Sequence, residues 1–202
     1  MSGMKKKKHR AVFVDRDGTL IKEANYPDAL DKIQLYKKSA GAIRMLKKKG
    51  YKLVVVSNQA GVSYGYFTEA FVKKSNAYIK KQLKDSGAAV DAFYYCPHHP
   101  EKAAVKKYRK RCGCRKPDTG MLKKAAKRFN IDLKKSYVVG DKLSDIKTAE
   151  NAGARSVLVL TGHGKKERNN IRKEKIKPDY TAADFMAAAG KIPEVNYGEE
   201  KK

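Results

Sequence analysis

The sequence predicts an α/β protein with a doubly wound, Rossmann-like parallel sheet. Short apolar runs recur along the chain, and most are separated by a stretch with helical periodicity. Strands that alternate with helices in this way form βαβ units with parallel strands. Two of the runs end in aspartates, Asp15 and Asp141, and another ends in Ser57. Because ligands of open α/β sheets bind beyond the carboxyl ends of the strands, these polar side chains indicate a site there.

Five apolar runs predict five strands, and the stretches between them predict helices. The first predicted helix has an apolar face that includes Ile43 and Leu46, and Gly50 is its stop signal. Thr68 is a preferred N-cap residue for the second. The predicted strands are 11–14, 53–56, 92–95, 137–141 and 156–160; the predicted helices are 39–49, 68–84, 119–129, 144–151 and 184–190; residues 165–177 are a helix or a loop.

The first strand leads directly into Asp15 and Asp17, which are followed by Gly18 and Thr19. A single Asp-Gly pair after a strand is usually a turn. Asp15, however, comes straight from an apolar strand, where a carboxylate without a partner is costly to desolvate. A metal ion or a phosphoryl group would account for a carboxylate at that position.

The chain has 202 residues, with 47 Lys or Arg against 21 Asp or Glu, and its formal net charge is +26. Such a charge suits nucleic acid, an anionic membrane surface or anionic metabolites. Because the lysines are scattered along the chain, we interpret them as a solvated surface and expect no specific nucleic-acid partner. No apolar segment is long enough to span a bilayer, and the first apolar run is too short for a signal peptide. We therefore expect a cytoplasmic monomer that does not engage a membrane.

The length of the chain suits one domain. We predict a basic tail at residues 1–9, a single domain over 10–190 and a C-terminal tail at 191–202. The connections after Asp17 and after Ser57 are too short to contain a large cap domain.

Three cysteines and two histidines cluster in a lysine-rich excursion at residues 96–114. An odd number of cysteines argues against a disulfide scaffold. Cys96 with His98, and Cys112 with Cys114, supply the four soft ligands of a structural Zn²⁺ site. The alternative is a set of reduced cysteines beside surface histidines, and His99 competes with His98 as a ligand.

Several motifs in order make the chain resemble the haloacid dehalogenase superfamily of phosphotransferases. The motifs are Asp15-Arg16-Asp17-Gly18-Thr19, the loop at 57–67, the Cys/His pairs, Arg115-Lys116-Pro117 and Gly140-Asp141-Lys142-Leu143-Ser144-Asp145. The middle three are similar to those of the heptose-bisphosphate and histidinol-phosphate phosphatase group. One departure is Ser63-Tyr64, where that group commonly carries Ala-Arg. The resemblance covers about residues 11–162 and implies a haloacid dehalogenase-like fold with a zinc loop.

The resemblance also implies roles for individual residues. It makes Asp15 the nucleophile that forms an aspartyl-phosphate and Asp17 the general acid/base. Ser57 and Lys116 would contact the transferring phosphoryl group, Lys116 as a point charge. Asp15, the Asp17 backbone carbonyl and Asp141 would hold Mg²⁺. The implied substrate-binding residues are Glu23, Ala24, Asn25, Tyr26, Ser57, Asn58, Gln59, Ala60, Arg115, Lys116 and Lys142.

Asp145 has two interpretations that the sequence leaves open. It lies near the Mg²⁺ site, or it is a first-turn carboxylate favoured by the helix dipole.

The function implied by the resemblance is Mg²⁺-dependent hydrolysis of a phosphate monoester on a small sugar, most closely the 7-phosphate of a heptose 1,7-bisphosphate. Histidinol phosphate is the alternative substrate. A basic, non-enzymatic nucleic-acid-binding zinc protein is a third hypothesis, but charge alone does not explain carboxylates at several strand ends.

Overall fold

A computed structural model of the protein describes residues 7–196. The strands are β1 (Ala11–Val14), β2 (Lys52–Asn58), β3 (Ala92–Cys96), β4 (Tyr137–Gly140), β5 (Arg155–Val159) and β6 (Tyr180–Ala182). The helices are α1 (Ser39–Lys48), α2 (Gly61–Tyr64), α3 (Glu69–Asp85), α4 (Gly120–Phe129), α5 (Leu143–Ala152), α6 (Gly164–Lys173) and α7 (Phe185–Lys191). The six strands form one parallel sheet in the order β3-β2-β1-β4-β5-β6.

Both faces of the sheet are covered, as a doubly wound fold requires. Alternate residues of β1 face opposite sides, because side chains alternate along a strand. Val12 and Val14 belong to a core that includes residues of α1, α3 and α7, whereas Phe13 belongs to a second core that includes residues of α4 and α5. The predicted fold class is therefore confirmed.

Among the strands and α-helices, the sequence analysis missed two and left a third open. β6 has only three residues, Tyr180–Ala182, which is too short for a periodic pattern to be recognised. α2, Gly61–Tyr64, is a single turn after β2. Residues 165–177, which the sequence left as a helix or a loop, contain most of α6. The exposed face of this helix is polar, and its Ile171 is buried.

The packed part of the chain extends slightly beyond the predicted range of 10–190. His9 pairs with the segment before β4, since its N–H donates to the Asn130 carbonyl at 2.8 Å. At the other end Ile192 is fully buried and the Val195 N–H donates to Lys49. Residues 1–6 and 197–202 of the predicted tails lie outside the described range.

The strand order reverses between β1 and β4, and this switch point is where doubly wound folds bind ligands. Asp15 directly follows β1 and Asp141 directly follows β4, while Ser57 lies near the end of β2 next to β1. None of the helices in residues 7–196 is long and apolar enough to cross a bilayer.

Candidate active site

Three buried carboxylates meet at the switch point. Asp15, Asp141 and Asp145 each contribute a carboxylate oxygen, and these oxygens lie within 4.8 Å of one another. Burial raises the pKa of Asp15 to about 6, against the opposing effect of Lys116. Burial, together with the neighbouring Asp15 and Asp145 carboxylates, raises the pKa of Asp141 to about 8. Asp15 and Asp141 are therefore harder to ionise than an exposed aspartate unless a cation lies beside them.

Lys116 is the cation closest to this cluster. Its Nζ is buried and donates to Asp15 Oδ1 at 2.7 Å, to Asp145 Oδ1 at 2.5 Å and to the Val56 carbonyl at 3.2 Å. Burial alone would lower the pKa of Lys116, but the Asp145 and Asp15 carboxylates raise it above its usual value. Lys116 therefore stays charged.

Asn58 fixes the backbone of Lys116. The Asn58 Oδ1 accepts from the Lys116 N–H at 3.0 Å, and the Asn58 Nδ2 donates to the Lys116 carbonyl at 3.0 Å. Both polar groups of the Asn58 side-chain amide are thus bonded to the protein, and its role as a substrate-binding residue, which the resemblance implies, stays a prediction. Its position at the end of β2 joins that strand to the Arg115-Lys116 segment.

Asp145 combines the two interpretations that the sequence left open. One of its oxygens pairs with Lys116, and the other accepts from the Lys142 N–H at 3.1 Å at the N-terminus of α5. Asp145 is therefore both the helix-end carboxylate and a buried neighbour of Asp15.

Asp17 is held in a network that the sequence analysis did not identify. The Arg16 guanidinium donates to both Asp17 oxygens, with Nε–Oδ2 at 2.9 Å and Nη2–Oδ1 at 3.0 Å. Gln59 Nε2 donates to Asp17 Oδ2 at 2.8 Å, and Ser57 Oγ donates to the same oxygen at 3.2 Å. Burial opposes ionisation of Asp17, but the Arg16 charge and hydrogen bonds lower its pKa overall.

Arg16 is itself buried and connects three parts of the fold. Besides Asp17, its guanidinium donates to Gln59 Oε1 at 2.9 Å, to Ser75 Oγ at 3.0 Å and to Asn76 Oδ1 at 3.2 Å. Ser75 and Asn76 belong to α3, far from residue 16 in sequence. The only local signal for this network was an arginine flanked by two carboxylates after a strand.

The residues around Asp141 fit a divalent cation. Asp141 is fully buried, and its Oδ1 has no hydrogen-bond partner among residues 7–196. Its Oδ2 accepts from the His163 N–H at 2.7 Å. A Cβ at either Gly18 or Gly162 would lie 2.2 Å from Asp141 Oδ2, so the backbone approaches this carboxylate closely. An orphaned buried oxygen beside Asp15 matches the hard oxygen ligands that Mg²⁺ prefers.

A cavity of about 230 Å³ opens above the carboxylates. Most of the predicted catalytic and substrate-binding residues line it, but Ala24 and the predicted Mg²⁺ ligand Asp141 do not. Sequence reasoning missed Arg16, Pro27, Ser144 and His163. His163 follows β5 in a Gly-His-Gly segment, and its place beyond the carboxyl end of a parallel strand was the available signal.

The upper part of the cavity is basic, with one acidic side chain. Glu23 Oε2 lies 3.3 Å from Lys142 Nζ and 3.1 Å from His163 Nε2. Arg115 also lines the cavity, and its Nη1 donates to the His98 carbonyl at 3.1 Å. An anionic ligand would therefore meet two side-chain cations here, at Arg115 and Lys142.

The four predicted zinc ligands lie together. The Sγ atoms of Cys96, Cys112 and Cys114 are 3.1, 3.2 and 3.5 Å apart, and His98 Nδ1 is 3.6 Å from Cys96 and 3.5 Å from Cys114. A tetrahedral Zn²⁺ site with Zn–S near 2.3 Å and Zn–N near 2.0 Å has sulfur–sulfur edges of about 3.8 Å and sulfur–nitrogen edges of about 3.5 Å. The donor set and the sulfur–nitrogen distances therefore fit Zn²⁺, whereas the three sulfur atoms lie closer together than such edges.

His99 is placed elsewhere. Its Nδ1 accepts from the backbone N–H groups of Glu101 and Lys102 at 3.2 and 3.0 Å, and its ring packs on Tyr64. The geometry therefore favours His98 as the fourth ligand.

The chain matches known proteins along most of its length. Residues 113–188 match the HAD-hydrolase-like family model. The chain is 44% identical over 155 residues to a D-glycero-β-D-manno-heptose-1,7-bisphosphate 7-phosphatase of Haemophilus ducreyi, covering 76% of this chain and 84% of that protein. It is 37% identical over 161 residues to a D-glycero-α-D-manno-heptose-1,7-bisphosphate 7-phosphatase of Photorhabdus laumondii, covering 79% and 87% of the two.

The fold also matches a solved structure. The D,D-heptose 1,7-bisphosphate phosphatase of B. bronchiseptica, crystallised with magnesium and phosphate, superposes with a TM-score of 0.78. It is 29% identical, and the match covers 90% of this chain and 96% of that one. From the identity and coverage of these relatives, this chain belongs to the D-glycero-D-manno-heptose-1,7-bisphosphate 7-phosphatase family of haloacid dehalogenase-like hydrolases.

Proposed function

We propose that this protein is a Mg²⁺-dependent phosphatase that removes the 7-phosphate of D-glycero-D-manno-heptose 1,7-bisphosphate. The observation that carries the proposal is the position of Asp15. Its carboxylate follows β1 on the floor of a cation-lined cavity, bonded to Lys116 and beside the buried Asp141. This arrangement fits the phosphate hydrolysis for which the relatives are named.

In the first step a carboxylate oxygen of Asp15 attacks phosphorus and the bond from phosphorus to the sugar oxygen breaks. Asp17 gives a proton to the departing sugar oxygen. Arg16 favours the ionised form of Asp17 in the free protein. Asp17 takes up this proton from solvent when the substrate binds, because the negatively charged phosphate beside it raises its pKa. The products of this step are the heptose 1-phosphate and an aspartyl-phosphate on Asp15.

In the second step Asp17, now ionised, accepts a proton from a water molecule that attacks the phosphorus of the aspartyl-phosphate. The bond between phosphorus and Asp15 breaks, inorganic phosphate leaves and the Asp15 carboxylate is regenerated. Ser57 and Gln59 orient Asp17 for both transfers, because both bond its Oδ2. One carboxyl group thus serves as acid and then as base.

Charge on the phosphoryl oxygens is stabilised by groups that are already in place. The Lys116 side chain is held by Asp15 and Asp145, and its backbone is held by the Asn58 amide. Its ammonium group therefore needs little reorganisation during the reaction. Asp15, Asp141 and the Asp17 carbonyl would hold Mg²⁺, which when bound neutralises charge on the transferring phosphoryl group. Arg115 and Lys142 bind the second phosphate of the substrate higher in the cavity.

A substrate panel tests this function. With Mg²⁺ present, we expect kcat/KM for heptose 1,7-bisphosphate to exceed that for histidinol phosphate about a hundredfold, because only the bisphosphate reaches Arg115 and Lys142. Both anomers of the bisphosphate are assayed for released phosphate. Equal or better turnover of histidinol phosphate would overturn the substrate assignment and leave the phosphatase activity standing.

We further propose that Zn²⁺ is structural and orders residues 96–114. The cluster lies outside the cavity, and its four protein ligands would close the coordination sphere. Burial raises the pKa of the Cys96 thiol, and a bound metal ion is what would keep it deprotonated. The Arg115 bond to the His98 carbonyl connects this loop to the cavity.

Elemental analysis tests the zinc proposal. We expect one equivalent of zinc per chain in the purified protein, and a zinc content well below one equivalent in Cys112→Ser, because a serine hydroxyl is a much poorer zinc ligand than a thiolate. His99→Ala is the matched control and should keep its zinc. An unchanged zinc content in Cys112→Ser would show that the ligand set is wrong.

We propose a cytoplasmic monomer as the working form. The cavity and the Cys/His cluster are both built from a single chain. Three thiols within 3.5 Å of one another would be prone to oxidation outside a reducing compartment.

A further inference from the structure

An aromatic cluster stands at the rim of the cavity, and the proposed chemistry does not use it. Tyr26, Tyr64 and Tyr66 contact one another edge to face, with ring centroids 5.7, 5.4 and 5.5 Å apart. Tyr26 is 44% exposed and Tyr66 60%, and they are the exposed large hydrophobic side chains among residues 7–196. Aromatic side chains grouped in solvent beside a site are typical of a binding surface.

Tyr26 is the member of this cluster that lines the cavity. Its backbone has φ +64°, and that of the preceding Asn25 has φ +51°. The left-handed region is costly for a bulky side chain, so surrounding contacts must hold the loop there. The rings of Tyr64 and Tyr66 supply such contacts.

Tyr64 and Tyr66 are themselves positioned by two neighbouring segments. They lie at and just after the end of α2, where Ser63 Oγ donates to the Ala60 carbonyl at 2.7 Å. The Val105 N–H of the zinc loop donates to the Ser63 carbonyl at 3.0 Å. The His99 ring packs on Tyr64 with centroids 5.5 Å apart. The aromatic cluster is therefore anchored to the loop at 57–67 on one side and to the zinc loop at 96–114 on the other.

We propose that Tyr64 and Tyr66 are positioning residues that hold Tyr26 across the mouth of the cavity, where the Tyr26 ring packs on the apolar C–H face of a ring-shaped leaving group. This inference rests on the proposed phosphatase function and deepens it. The substrate is then held at three points: the phosphoryl group by Asp15 and Lys116, the sugar ring by Tyr26, and a distal anion by Arg115 and Lys142. The aromatic cluster selects sugar-ring phosphates over acyclic ones.

The test compares a ring substrate with an acyclic one in the full-length enzyme with Mg²⁺. The variants are Tyr64→Ala/Tyr66→Ala and, as a matched control that keeps both rings, Tyr64→Phe/Tyr66→Phe. For heptose 1,7-bisphosphate we expect KM of the alanine variant to rise about tenfold with kcat within about twofold of wild type. For glycerol 3-phosphate we expect kcat/KM to stay within about twofold, and the phenylalanine variant to behave as wild type on both esters.

Each other outcome overturns the inference. An unchanged KM for the heptose ester, an equal loss on glycerol 3-phosphate, or the same loss in the phenylalanine variant would show that the rings do not position Tyr26 for a sugar. If the wild type hydrolyses neither ester, the proposed function itself is wrong; if it hydrolyses both and the alanine variant matches it, only the aromatic inference is wrong. Should the double alanine variant fail to fold, Tyr66→Ala alone gives the same comparison, because that side chain is mostly exposed.

Discussion

Asp15→Asn should reduce turnover of every phosphorylated sugar by at least about 10⁴-fold, the scale of loss when a nucleophile is removed. The asparagine amide has no carboxylate oxygen that could form a bond to phosphorus. Asp15 is the carboxylate that directly follows β1 and lines the cavity, so no other carboxylate stands in its place there. The measurement is phosphate release under saturating substrate, together with acid-quench trapping of phosphoenzyme, which should be seen in wild type and absent from the variant.

The fold should survive this change. Asparagine has nearly the same shape, and Lys116 keeps its contact with Asp145. Zinc content and the unfolding temperature therefore serve as controls. Asp28→Asn is the matched substitution, because Asp28 is an exposed carboxylate that pairs with Lys32 at the surface, and it should leave kcat/KM unchanged. Near wild-type hydrolysis by Asp15→Asn would rule out Asp15 as the nucleophile.

The convergence of the site could be predicted because it follows from strand ends. Apolar runs that stop at Asp15, Ser57 and Asp141 define where parallel strands terminate, and parallel strands deliver those residues to one edge of a sheet. The Cys/His cluster could be predicted for a similar reason, since ligand number and type are visible in sequence. Both inferences need only the order of residues along the chain.

Contacts between distant segments could not be predicted in this way. The bonds from Arg16 to Ser75 and Asn76 depend on how α3 packs beside β1, which no local pattern encodes. The two hydrogen bonds between the Asn58 amide and the Lys116 backbone likewise depend on where the chain returns to the sheet after the zinc loop. β6 was missed because three residues give no usable periodicity. These features depend on which distant segments pack together, and that is known only from the three-dimensional structure.

The buried position of Lys116 leads to the second large effect. Its Nζ lies between Asp15 and Asp145, and all three side chains are almost completely inaccessible to solvent. Lys116→Met replaces the charge by an apolar side chain of similar length and leaves two carboxylates buried without their cation. Removing one partner of a buried ion pair typically costs about 3–5 kcal/mol of the free energy of unfolding. Activity should be lost as well, because the phosphoryl oxygens lose their nearest side-chain cation.

The loss of stability in Lys116→Met should depend on pH. Lys116 opposes the effect of burial on Asp15, whose pKa is about 6 in wild type, so without Lys116 the pKa of Asp15 rises further. The folded variant then binds more protons than the folded wild type above about pH 6, and its stability relative to wild type should fall as pH increases from about 6 through neutrality. Urea unfolding at pH 5 and pH 8, without added Mg²⁺, measures this difference.

Asp145→Asn provides the partner variant for a double-mutant cycle. Asparagine at position 145 keeps an acceptor for the Lys142 N–H at the start of α5 but carries no charge. In Lys116→Met/Asp145→Asn one of the two unpaired carboxylates is gone, so the double variant should be more stable than Lys116→Met alone at pH 8. Its destabilisation should be smaller than the sum of the two single effects by an interaction energy of about 1–3 kcal/mol. If Lys116→Met is as stable as wild type at pH 8, or if Asp145→Asn adds to its destabilisation, the charge of Lys116 is not what stabilises these buried carboxylates.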